Sequence, residues 1–133
     1  MTEKKLYAVS RAIFSVLGEK EMYCDICLVS EKEMVRLEKF FFPDKKREPN
    51  VLAFPIPKDF PAPSYRGWNM VGEIYLNRDR YGKEFSHLVF LLIHGILHLL
   101  GYRHERKRDM MIMEDMERSV MEKIKKRLPT LCV

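Results

Sequence analysis

Three of the four histidines in this 133-residue chain fall within eleven positions, His94-Gly95-Ile96-Leu97-His98-Leu99-Leu100-Gly101-Tyr102-Arg103-His104. On a helix, His94 and His98 project from one face about one turn apart. At that spacing both imidazole nitrogens can reach one ion at roughly 2.0–2.1 Å. Gly101 permits a left-handed turn that a side chain would penalise, and such a turn swings His104 back under the same ion. Three histidines leave a coordination position open, as in catalytic rather than structural zinc sites. Nickel, copper or iron suit the same donors. The competing reading is two core histidines and an unrelated surface one. Against it, two buried imidazoles side by side with no evident acidic partner are costly unless an ion coordinates them. His87, seven residues before His94, lies near the same face; packing or surface exposure is its preferred role over cavity lining.

The spacing H-x-x-x-H-x-x-G-x-x-H is that of the metzincin proteases, which place a glutamate general base after the first histidine. Gly95 occupies that position here. A divalent metal lowers the pKa of water to about 7 and stabilises charge on phosphoryl oxygens. Phosphodiester hydrolysis is therefore less dependent on the missing carboxylate than peptide hydrolysis.

The elements that must position these residues follow from periodicity. Leu6, Val9, Ile13, Val16 and Leu17 recur at helical spacing and Gly18 supplies a stop. Met22–Val29 is rich in strand formers. Ser30-Glu31-Lys32-Glu33 has the capping-box pattern and opens a helix through about Phe41 that Pro43 closes. Val51–Phe54 reads as a buried strand, 55–63 as a proline-rich loop, and Met70–Leu76 as a third strand with Gly72 a bulge or close approach. A helix over 83–100 is apolar nearly all round and belongs at the centre of the fold. Gly101 ends it, and an amphipathic helix covers about 106–127. This order predicts an α+β fold: one domain over 1–133, with a small, mostly parallel mixed sheet covered by helices.

Bulk properties narrow the class. A composition 47% hydrophobic and 32% charged is that of a globular chain rather than a disordered one. The longest apolar stretch, Leu88 to Leu100, is 13 residues, too short to span a bilayer. The first twenty residues show no signal-peptide pattern, so a cytoplasmic location is expected. Cys24 and Cys27 form a C-x-x-C, but a strand would point the two thiols to opposite faces, and no second pair completes a zinc site. The net charge of +5, with clusters at 45–47, 103–108 and 123–127, is compatible with a polyanionic partner such as RNA.

The stretch His94 to His104 closely resembles the signature of the YbeY family, H-G-x-L-H-L-x-G-Y-D-H. Asn50-Val51-Leu52-Ala53-Phe54-Pro55 is similar to its D/N-V-L-S-F-P strand, and Val71-Gly72-Glu73-Ile74 to its L-G-D-I/L strand. Met113-Glu114 falls at its Met-Glu position, so the resemblance covers about Leu28 to Glu122. It implies a metal-dependent, single-strand-specific endoribonuclease of ribosomal RNA maturation and ribosome quality control, acting on RNA of the small ribosomal subunit. It also implies a metzincin-like core whose central helix carries two of the metal ligands. His94, His98 and His104 would be those ligands, usually to zinc.

Two departures stand out. Arg103 replaces the family's aspartate before the last histidine. Its loop Y-R-G-K-x-K-P-T-D/N has become Phe42 to Asn50, with Pro43 where an active-site arginine belongs. Arg47, Lys46 or Lys45 could reach the same place, and these or Arg103 could hold a phosphate; Arg47 is the candidate. Phe40-Phe41-Phe42 and Trp68 are candidates for base stacking. Core packing is preferred for the phenylalanines; Trp68, in a Tyr65–Asn69 loop, is an even choice. The alternatives to a nuclease are a non-catalytic RNA-binding assembly factor with a structural metal and, less favoured because of Gly95, a metalloprotease.

Overall fold

The computed structural model describes residues 2–44, 50–57, 64–65, 67–81, 84–102 and 105–129. The elements are α1 (Thr2–Val16), β1 (Met22–Val29), α2 (Glu31–Phe41), β2 (Val51–Pro55), β3 (Ser64–Tyr65), β4 (Trp68–Asn77), α3 (Arg78–Tyr81), α4 (Phe85–Leu99) and α5 (Lys107–Arg127). The fold is α+β, with every expected helix and strand present. The two-residue β3 and the short α3 were not expected, and Trp68 is the first residue of β4 rather than part of a loop.

Local signals explain the boundaries. The Ser30 side chain accepts a hydrogen bond from the Glu33 amide at 3.2 Å, so the capping pattern does start α2. At the end of α4, Gly101 has φ 100°, and its amide donates to the His98 carbonyl at 3.0 Å. The Tyr102 amide donates to the Leu97 carbonyl at 3.0 Å, completing a Schellman stop. The helix thus ends one residue after His98 by satisfying its own last carbonyls.

β4 is the centre of the sheet, in the order β1-β4-β2, with β3 also paired to β4. β1 runs parallel to it from Met22↔Asn69 to Val29↔Asn77, whereas β2 and β3 are antiparallel. The expectation of a mostly parallel sheet is therefore corrected: among the described residues, one of the three pairings is parallel. The parallel β1–β4 pairing has α2 and β2 between its strands, the long connection that a parallel pair requires. The β1–β4 register slips between Tyr23 and Cys24, opposite Val71, so the strand bulges next to Gly72.

Alternation along the strands divides the core. Cys24, Ile26, Ile74 and Leu76 join Leu6, Val9, Ile13 and Phe14 of α1, the apolar residues of α4, and Met113, Val120 and Ile124 of α5. Met34 of α2 and Leu52 of β2 are buried apart from that cluster. The phenylalanines depart from the core packing expected of them. Phe40 is 77% and Phe41 50% exposed, and Phe41 and Phe42 pack on Phe54 at centroid distances of 4.9 and 6.1 Å. Among the described residues, no helix is long and apolar enough to cross a membrane.

The two strand cysteines face apart, as expected. Cys24 is buried in the main core, and burial pushes its thiol up to about 12. Burial also raises Cys27, with Glu73 and Asp25 adding to the effect. A thiol shifted from 9.0 to about 12 holds about a thousandfold less thiolate at neutral pH. Native-state alkylation of Cys24 by iodoacetamide should be slower than that of a free thiol by at least that factor, read by peptide mass spectrometry. Labelling at the free-thiol rate would contradict this placement.

Candidate metal centre

The apolar character of α4 sets the histidines in place. Nine of its fifteen residues are buried, and the rest of the helix perimeter, bearing His94 and His98, turns away from the sheet. The two imidazoles meet as the i, i+4 spacing requires: ring centroids are 4.6 Å apart at 72°, and the Nε2 atoms face each other at 3.1 Å. Both are half-buried rather than fully enclosed.

His94 has an acidic partner that the sequence reading missed. Its Nδ1 lies 3.0 Å from Oε2 of Glu117 on α5, and the Glu117 side chain is only 8% exposed. The signal was present in the spacing. Met113, Val120 and Ile124 are the buried stripe of α5, and Glu117 falls on the same stripe, a carboxylate where an amphipathic helix should be apolar. By contrast Glu114, in the Met-Glu match, is exposed.

Hydrogen-bond chemistry constrains the protons. An ionised carboxylate only accepts, so Nδ1 of His94 donates to Glu117, leaving the Nε2 of a neutral ring as a lone pair. That lone pair points at the Nε2 of His98. Two such nitrogens at 3.1 Å need a proton or a cation between them. Imidazole nitrogens sharing one tetrahedral ion at about 2.0–2.1 Å would stand roughly 3.3–3.4 Å apart, close to what is seen. The donor set therefore fits a borderline metal such as zinc, with an outer carboxylate orienting one ligand.

The remaining candidates divide clearly. His104, the third expected ligand, lies outside the described residues, as do Arg103, Arg47, Lys46 and Lys45. Among the described residues no three donors converge on one point. His87 is exposed in the first turn of α4, with Nδ1 2.7 Å from Glu84 Oε2, which agrees with a surface role. A cleft lined by Gly101, Tyr102, Asp109 and Ile112 opens where α4 turns into α5. Exposed basic residues mark both ends of α5, Arg106 to Arg108 before the site and Lys125 to Arg127 beyond it.

Gly95 is explained by packing. A Cβ there would lie 3.1 Å from Ile74 Cδ1 and 3.2 Å from Ile74 Cγ2. Position 95 faces the sheet, so a glutamate at this point would enter the core beside Ile74.

A helix carrying paired histidines, braced by a carboxylate from the next helix, packs on the small mixed sheet of an α+β protein. The sequence matches the family described as Endoribonuclease YbeY over residues 2–125, and the chain belongs to that family. Endoribonuclease YbeY of Bartonella henselae is 31% identical over 140 residues, covering 92% of this chain and 84% of its own length. The Finegoldia magna protein of the same description is 31% identical over 116 residues, covering 81% of this chain and 72% of its own. That of Aquifex aeolicus is 29% identical over 124 residues, with coverage of 86% and 78%.

Proposed function

We propose that this chain is a metal-dependent endoribonuclease that cuts single-stranded RNA, with ribosomal RNA of the small subunit as its substrate in the cytoplasm. The observation that carries the reading is the His94–His98 pair, Nε2 to Nε2 at 3.1 Å, on a chain of the YbeY family. A metzincin-like arrangement of helix and sheet is part of this proposal.

In this reading His94, His98 and His104 hold one zinc ion, or another transition metal. When bound, the metal supplies Lewis-acid activation of water and stabilises charge on phosphoryl oxygens. The protein's own residues do the remainder. Glu117 holds the proton on Nδ1 of His94, keeping Nε2 as the donor atom. The basic ends of α5 raise the local concentration of a polyanion. Arg47 is assigned a phosphate contact on the sequence alone. Proteolysis is disfavoured because the glutamate that would serve it has no place beside Ile74.

The test is cleavage of ribosomal RNA and of a single-stranded oligoribonucleotide, with casein as the control, before and after dialysis against a chelator. The expected result is RNA cleavage that the chelator removes and zinc restores, with casein untouched. Cleavage at the original rate in metal-free protein would sink the proposal, and so would casein digestion without RNA cleavage.

A further inference from the structure

We propose that Glu117 is a positioning residue for the metal centre, selecting the tautomer of His94 from a helix whose other inward residues only pack. This rests on the reading of His94 and His98 as metal ligands. Three observations carry it. Glu117 is 6% exposed, on a stripe otherwise made of Met113, Val120 and Ile124, where an apolar side chain would fill the space without desolvating a carboxylate. Its Oε2 lies 3.0 Å from His94 Nδ1, on the side of the ring away from His98. The contact joins residues 23 apart in sequence, so it also fixes how α5 lies against α4 at the site.

Free histidine in water prefers its proton on Nε2, the tautomer that would place a hydrogen where His98 Nε2 stands. A carboxylate at Nδ1 reverses that preference and leaves the His94 Nε2 with no proton of its own before any ion arrives. It also orients the ring and raises the basicity of the ligating nitrogen, the usual effect of an outer carboxylate on a metal-bound histidine. α4 alone sets the spacing of the two rings; Glu117 sets which nitrogen faces inward.

The experiment uses the full chain and two variants. Glu117→Met keeps length and volume without an acceptor; Glu117→Gln keeps an acceptor oxygen without the charge. Imidazole nitrogen shifts of metal-free protein, recorded above the range where imidazoles titrate, report the tautomer. Competition against a chromogenic chelator reports Zn2+ and Co2+ affinity, and the visible Co2+ spectrum reports coordination. In wild type, His94 should carry its proton on Nδ1. Glu117→Met should move it towards Nε2 and weaken metal binding roughly 10–100-fold. Glu117→Gln should restore the Nδ1 proton and recover part of that affinity.

A wild-type His94 protonated on Nε2 would overturn the role without any variant needing to fold. Unchanged metal affinity in a folded Glu117→Met would overturn it as well. Wild-type protein that binds neither ion would instead overturn the underlying reading of the site, so the two failures are distinguishable.

Discussion

Replacing His98 with alanine is expected to abolish metal retention and RNA cleavage together while leaving the fold intact. His98 is the informative choice over His94. Removing His94 would leave Glu117, a carboxylate 6% exposed, without its donor, and an orphaned buried polar group costs about 1–3 kcal/mol before any effect on chemistry. Removing His98 leaves the His94–Glu117 contact in place and deletes one half-buried ring at the exposed side of α4. A loss at such a position should stay within about 1 kcal/mol of stability. The functional effect should be much larger. Deleting a partner outside the coordination sphere already weakens a metal site roughly 10–100-fold, so deleting a ligand should exceed about 100-fold. Chelator competition, an RNA cleavage assay and thermal unfolding on the same preparation check the three parts. A His98→Ala protein that cuts RNA within tenfold of the native rate, a factor of about 1.4 kcal/mol in the barrier, would remove His98 from the site.

The His94–His98 pair was legible because everything it requires is local. Four residues of α4 put the two rings together, and the apolar run from Leu88 to Leu99 forces that helix inward with the histidines on its remaining face. Gly101 was legible for the same reason, since a helix stop is a property of the adjacent turn. What was missed depends on contacts distant in sequence. Glu117 reaches His94 across 23 residues, and periodicity alone fixes the inward face of α5 without naming what that face meets. Strand direction is of the same kind. Met70–Leu76 was readable as a strand, but its parallel pairing with β1 and antiparallel pairing with β2 are decided by chain return, not by the strand's own residues. The phenylalanines at 40–42 show the opposite error. Their hydrophobicity pointed to the core, yet the end of α2 leaves Phe40 and Phe41 on the surface, with Phe41 packed on Phe54 and Phe40 on Phe41.

Gly72→Ala should be the most destabilising single-methyl change at a described glycine, and it should reach the metal centre. A Cβ at this position would lie 2.5 Å from the Phe54 carbonyl oxygen, 2.6 Å from Leu99 Cδ2 and 3.1 Å from Pro55 Cα. The Leu99 contact can be relieved by rotating a side chain; the Phe54 contact cannot, because it is backbone of the paired strand. Gly72 sits opposite Pro55 at the end of the β2–β4 ladder, and Ile56 continues the pairing through its amide to the Val71 carbonyl at 3.1 Å. β2 must move off β4 to admit the methyl group, and Leu99, the residue after His98, must turn its side chain aside, which disturbs the packing of α4 next to the histidine pair. Overpacking of this kind costs about 1–3 kcal/mol, and a clash with backbone belongs at the upper end. For a domain of this size that lowers the melting temperature by roughly 10 °C. Gly95→Ala supplies the contrast within the same core. The nearest atoms its methyl group would meet are side-chain atoms of Ile74, at 3.1 to 3.4 Å, and a helix interior favours alanine over glycine by about 1 kcal/mol, so the two effects nearly cancel. Thermal unfolding should therefore place Gly72→Ala well below Gly95→Ala, with metal affinity falling in the first and kept in the second. If the two variants melt together near the native temperature, the tight packing of β2, β4 and α4 around position 72 is wrong.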